Sequence, residues 1–132
     1  MDQLPPYAQL LGLRIEGDTA DCGLVMPFHD DVVGRPGFLH GGAIAGLLEF
    51  AAFTTLARAL GDPAVGMKPI TVTVDYLRGG GPQDTFASAH ILRLGKRMAN
   101  LEALAWQSDR DAPIAAARLN FLLERPLRKP AQ

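Results

Sequence analysis

Cysteine is nearly missing from this chain. Cys22 is the only one, so an internal disulfide is excluded, and a small buried hydrophobe in a strand is its expected role. Histidine is scarce too: His29, His40 and His90 are scattered and give no metal-ligand spacing. Charge of one sign does not dominate either. The net charge is −1 with Lys and Arg spread thinly, which leaves no electropositive footprint for nucleic acid. The first residues, Met1-Asp2-Gln3-Leu4-Pro5-Pro6, lack the basic and apolar stretches of a signal peptide. Ser88 and His90 share a strand face, but no Gly-x-Ser-x-Gly elbow supports a serine hydrolase. Gly79-Gly80-Gly81 lacks the Lys-Ser/Thr of a phosphate loop. The expectation is one cytoplasmic domain over 1–132, large enough for a single core and free of linkers or repeats.

What the chain does have is a long apolar run without proline, Gly37 to Leu60, closed by Gly61-Asp62-Pro63. A glycine followed closely by a proline is a helix stop. Gly41 to Leu60 therefore predicts a helix of roughly 30 Å, the width of a small domain. Ala43, Ala45, Gly46, Ala51, Ala52, Ala57 and Ala59 keep its surface smooth, and a helix apolar on nearly every face is a buried one. Glu49 interrupts that surface and counts against a membrane span. Its helical neighbours Ala45, Gly46, Ala52 and Phe53 offer it neither cation nor hydrogen bond. A carboxylate so placed is costly unless it meets a partner, a ligand or another subunit. A glutamate looking through a gap to solvent is the plainer alternative.

The remaining elements are short. Tyr7 to Leu11 predicts a helix closed by Gly12. Leu13 to Glu16 and Thr19 to Met26 read as strands joined at Gly17-Asp18. Phe28 to Gly37 is an irregular loop whose His29, Asp30 and Asp31 are expected to be solvated. Ile70 to Leu77 alternates, with Ile70, Val72, Val74 and Tyr76 on one face and Thr71, Thr73 and Asp75 on the other. Thr85 to Leu94, Met98 to Gln107 and Ile114 to Glu124 follow, separated by tight turns. Ala99, Leu101, Ala103 and Ala105 form one apolar face, and Ala115, Ala117, Leu119, Phe121 and Leu123 another. Turns this short demand antiparallel pairing. The fold class is α+β: one long central helix wrapped by a curved antiparallel sheet of about six strands, the hotdog arrangement. Arg125 to Gln132 reads as a flexible tail.

The chemistry gathers at the start of the long helix. In His40-Gly41-Gly42 the glycines let a ligand approach, and the first N–H groups of a helix have no internal acceptor. Together with the helix dipole they suit negative charge, including the oxyanion of acyl transfer. Gly41 and Glu49 are eight residues apart, or about 12 Å along one helix. An attacking group and an oxyanion donor must both lie ~3 Å from one reacting carbon. Two such residues of one chain cannot serve the same carbonyl, so if both are catalytic a dimer must bring the second copy.

These residues resemble hotdog acyl-CoA thioesterases of the phenylacetate-degradation and hydroxybenzoyl-CoA type. The likeness runs from about Pro27 to Leu123. It rests on Gly37-Phe38-Leu39-His40-Gly41-Gly42 with an acid nine residues after the histidine, and on Val72-Thr73-Val74-Asp75-Tyr76-Leu77-Arg78. The resemblance implies hydrolysis of a medium-chain or aryl acyl-CoA, with Glu49 as nucleophile or general base and the Gly41 N–H of the partner subunit as oxyanion donor. It implies His40 as a shaping residue and coenzyme A as part of the substrate, with no further cofactor or metal. It implies a homodimer that often pairs into a tetramer, with no nucleic acid or membrane as partner. Gly42, Phe38, Arg78, Lys96 and Arg97 are the candidate substrate and CoA contacts, the cations facing its phosphates. One position departs: many members carry asparagine six residues before the histidine, where this chain has Gly34. The alternatives are a hotdog enoyl-thioester hydratase or dehydratase, and a non-catalytic acyl-CoA-binding protein, the latter motivated by Gly34.

Overall fold

The computed structural model describes residues 4–16 and 23–127. Cys22, the Gly17-Asp18 turn and the end of the tail lie outside them. The order is α1 (Pro6–Leu11), β1 (Arg14–Glu16), β2 (Gly23–Met26), a 3₁₀ turn (Asp30–Val32), α2 (Gly41–Leu60), β3 (Gly66–Tyr76), β4 (Thr85–Leu94), β5 (Met98–Trp106) and β6 (Ala115–Glu124). The six strands form one antiparallel sheet in the order β1-β2-β4-β5-β6-β3. This is the expected hotdog fold.

Both helix stops work as the sequence foretold. Gly12 and Gly61 take left-handed φ of 72° and 64° and return their N–H groups to the preceding turn, a conformation that costs glycine nothing. Ala99, Leu101, Ala103 and Ala105 of β5, with Ala115, Ala117, Leu119, Phe121 and Leu123 of β6, line the inner face and are buried. Their small side chains let the sheet close on Ile44, Leu47, Leu48, Ala51 and Leu56 of α2. The register slips between Pro69 and Thr71 and between Ile91 and Arg93, the kind of irregularity that bends a strand and re-aims its side chains.

Two expectations need correction. The sheet does not cover α2 all round: Ala45, Glu49, Phe50, Phe53 and Ala57 stay only half-buried. Over part of that side lies α1, and Gly46 is what lets it approach. A Cβ there would stand 2.9 Å from Leu11 Cδ1 and 3.0 Å from the Tyr7 ring. His29 is not a free loop residue either; its Nε2 lies 2.9 Å from the Leu11 carbonyl oxygen. That bond ties the loop to the end of α1, whose last carbonyls lack helical partners.

The two edges of the sheet differ. β1 has three residues; β3 has eleven and stays largely exposed along its length. Val72, Val74 and Tyr76 point to the inner face as the alternation predicted, opposite Leu119, Ala117 and Ala115 of β6. Ile70, displaced by the irregularity, is 53% exposed.

Candidate active site

The first half of the site is the corner where α2 begins, and hydrogen bonds of this chain hold it from several sides. The His40 N–H donates to the Val32 carbonyl at 2.8 Å, and the Leu39 N–H to the Gly80 carbonyl at 3.0 Å. The loop before it is a tight hairpin, with a bridge between Val33 and Leu39 and the Gly34 N–H on the Phe38 carbonyl. His40 caps the helix: its Nδ1 accepts the Gly42 N–H at 2.9 Å, which places the ring proton on Nε2. That assignment sorts the two glycines. The Gly42 amide is occupied, whereas among the described residues the Gly41 N–H has no acceptor and sits at the positive end of the helix dipole. The Tyr76 hydroxyl donates to the Gly41 carbonyl at 2.8 Å, fixing that peptide from its other side.

A cleft of ≈ 390 Å³ opens at this corner, lined by Arg35, Phe38, Gly41, Tyr76 and Arg78 among others. Arg78 is steadied by a bond from its Nε to the Pro113 carbonyl. The Arg35 guanidinium lies 4.8 Å from the centre of the Phe38 ring, a cation–π contact. The expected residues Phe38, Gly41 and Arg78 therefore meet. Arg35, Tyr76 and Gly80 were missed. The apolar alternation of the strand hid Tyr76, whose pairing with Gly41 spans 35 residues of sequence. Lys96 and Arg97 are not brought to this corner of their own chain. They turn between β4 and β5 beside Leu123, at the far end of β3 from Tyr76.

Gly34 has a local reason. A Cβ there would lie 2.9 Å from the His40 Cα, and a backbone atom cannot step aside. The asparagine of many relatives does not fit this loop as it is built.

Glu49 forms the second half. It is half-buried beside a cleft of ≈ 180 Å³ whose other walls are Pro5, Phe50, Phe53, Pro69 and Phe121. Among the described residues nothing donates a hydrogen bond to its carboxylate and no cation pairs with it. The neighbouring walls are apolar and give the carboxylate no competing partner. The outer sheet face holds the other histidine pair: His90 lies 3.5 Å from Glu102, and the Ser88 hydroxyl accepts from Arg110. Those side chains serve the ladder between strands, away from Glu49.

Residues 30–122 match the model of the acyl-CoA thioesterase N-terminal domain family. Among proteins of curated function no sequence relative was found. A solved protein from Chromobacterium violaceum is 36% identical, with 90% of this chain and 83% of that one aligned and a TM-score of 0.74. A thioesterase from Haemophilus influenzae shares the fold at a TM-score of 0.83 and 19% identity over 92% of this chain and 85% of its own. A Bacillus halodurans protein solved with CoA does so at 0.84 and 19%, over 96% and 83%. With its central helix, its encircling sheet and the family match across both halves of the site, this chain belongs to the acyl-CoA thioesterases, hotdog-fold hydrolases of the thioester bond.

Proposed function

We propose that the chain hydrolyses medium-chain or aryl acyl-CoA thioesters in the cytoplasm, as a homodimer whose two sites each combine Glu49 of one protomer with Gly41 of the partner subunit. Among hotdog enzymes this places it with the phenylacetate-degradation type. The thioester carbonyl points at the free Gly41 N–H and the N-terminus of its helix, which stabilise the developing oxyanion. Glu49 attacks the acyl carbon or takes the proton from a water that does. The carbon–sulfur bond then breaks. In the base route the thiolate of CoA leaves with the proton that water gave up. In the nucleophile route its departure leaves a mixed anhydride on Glu49. A water hydrolyses that anhydride to release the acid and free the Glu49 carboxylate, while the thiolate takes up a proton from that water. Arg35 and Arg78 at the corner suit the phosphates of CoA, and no cofactor is required beyond the substrate itself.

The observation that carries this reading is the separation of two incomplete half-sites along one helix. β3 offers a way to join them. Its long free edge, with Ile70, Val72 and Tyr76 exposed, is a template for pairing with a second copy. If two β3 strands pair antiparallel about a two-fold through Thr73, Thr71 falls opposite Asp75 of the partner subunit. With Ile70 skipped at the irregularity, Pro69 then falls opposite Tyr76 of the partner subunit. Pro69 lines the Glu49 cleft and Tyr76 holds Gly41, so each half-site meets its complement.

Mixed dimers test it. Gly41→Pro deletes the oxyanion donor and Glu49→Ala the attacking group; each variant alone is expected to be inactive in CoA release. Random pairing of the two should return about a quarter of wild-type turnover, one intact site in half of the dimers. No recovery in demonstrably mixed dimers would show that the site is not shared. Single turnover in ¹⁸O water separates the two roles of Glu49, because only a nucleophile puts an unlabelled oxygen into the first product.

A further inference from the structure

A third cleft lies further along α2 and belongs to neither half-site. It measures ≈ 480 Å³ and is lined by Ile15, Phe53, Thr54, Ala57, Val65 and Met67 among others. One side chain separates it from the smaller cleft at Glu49, because Phe53 lines both. Glu49, Phe53 and Ala57 are four residues apart in turn, so they follow one another down a single face of the helix. All three are half-buried. The opposite wall is shared in the same way. Met67 and Pro69 pair with Leu123 and Phe121 of β6, whose side chains are buried on the inner face. They therefore point to that face together, Pro69 at the Glu49 cleft and Met67 at the larger one. Helix and strand form one trough, and the Phe53 ring stands across it.

We infer that Phe53 is the residue that sets how long an acyl chain the site accepts. The inference rests on the thioesterase reading and concerns its specificity. The cleft beside Glu49 holds ≈ 180 Å³, below the ~300–1,000 Å³ of pockets that enclose a drug-sized ligand. With its carbonyl at Glu49, a short acyl group fits there and its end meets the Phe53 ring. The ≈ 480 Å³ beyond that ring would take the rest of a long chain, yet the chain must displace the ring to enter. A half-buried ring packed on the core gives way only by losing its own contacts. Every methylene added past the ring is therefore denied the burial that an open trough would give it.

The test compares kcat/KM for butyryl-CoA and dodecanoyl-CoA, so that a general loss of activity cancels in the ratio. The wild type is expected to favour butyryl-CoA, and equal use of both would overturn the inference. Phe53→Ala joins the two clefts and should raise dodecanoyl-CoA relative to butyryl-CoA by about tenfold or more. Phe53→Leu, a milder change should the first variant fold poorly, is expected to move the ratio the same way by less. Adding Ala57→Trp to Phe53→Ala refills the larger cleft and should cancel the gain. An unchanged ratio in both Phe53 variants overturns the inference, since a merely structural residue would move both substrates together. A gain that survives Ala57→Trp overturns it as well, because the chain then runs elsewhere. Should no variant cleave any acyl-CoA, the thioesterase reading fails while the gate can still be judged by binding of the free acid. Dodecanoate should then raise the Tm of Phe53→Ala more than that of the wild type, and equal shifts would sink the inference.

Discussion

The two halves of the site are built in opposite ways. The corner at Gly41 is over-determined: His40, Val32, Gly80 and Tyr76 all bond to it, and even the amide next door is occupied. Glu49, on the same helix, has no polar partner among the described residues and only apolar walls. A donor acts by being held still, since reorganisation during the reaction would cancel its benefit. An attacking group acts by being left unsatisfied until the substrate arrives. On the proposed reading, the protomer completes the first requirement internally and leaves the second to another molecule.

Removing the unsatisfied group is expected to have the largest effect. Glu49→Ala should lower kcat for CoA release by about a thousandfold. It should also fold at least as well as the wild type, because a carboxylate between Phe50, Phe53 and Phe121 brings no compensating bond. A variant retaining a tenth of the wild-type rate would dismiss Glu49 from the chemistry.

The next test leaves both halves intact and separates them. Val72→Lys places two ammonium groups beside the proposed two-fold through β3, a device that natural edge strands use against pairing. Light scattering should report monomers, and turnover should disappear with them, although Glu49 and Gly41 are untouched. An active monomer would mean that one chain closes its own site, against the 12 Å separation along α2.

Much of this was legible beforehand because it depends on local periodicity. The ends of α2, the C-terminal glycines and the inner faces of β5 and β6 follow from residues near in sequence, and they stand where expected. What stayed hidden depends on pairs far apart in the chain. Tyr76 reached Gly41 only once β3 had folded back on the start of α2. The Gly79-Gly80-Gly81 stretch looked like a plain breaker, yet the Gly80 carbonyl holds Leu39, and a Cβ at Gly80 would come within 2.6 Å of the Leu39 side chain. Thr54 carried no local signal at all, since only the finished core shows that among the described residues nothing bonds to its hydroxyl.

Gly34 sharpens the comparison from the over-determined side. As a departure from the family pattern it suggested a weakened site, but its place against the His40 backbone reads as part of the corner's construction. Gly34→Asn, which restores the residue of many relatives, is therefore expected to cost about 1–3 kcal/mol of stability in urea unfolding through overpacking. Its kcat should fall as well, because His40 must shift. A stable and more active Gly34→Asn protein would show that the loop was missing a side chain after all.

The smallest effect should come from Tyr76→Phe. The ring keeps its contact with Gly41, at about 3.4 Å from where a Cβ would be, and only the hydroxyl bond to the Gly41 carbonyl is lost. Tyr76 is 54% exposed, so water replaces that bond and the stability change should stay near 0.5 kcal/mol, at the low end for a hydrogen bond. The peptide joining Gly41 to Gly42 then gains freedom, and with it the first turn that aims the Gly41 N–H. A loose donor weakens transition-state contacts more than ground-state binding. The expected result is a few-fold lower kcat with nearly constant KM, roughly a tenth of the effect of deleting the donor outright. If KM rises while kcat holds, Tyr76 serves substrate binding instead, and the rigidity of the corner does not depend on it.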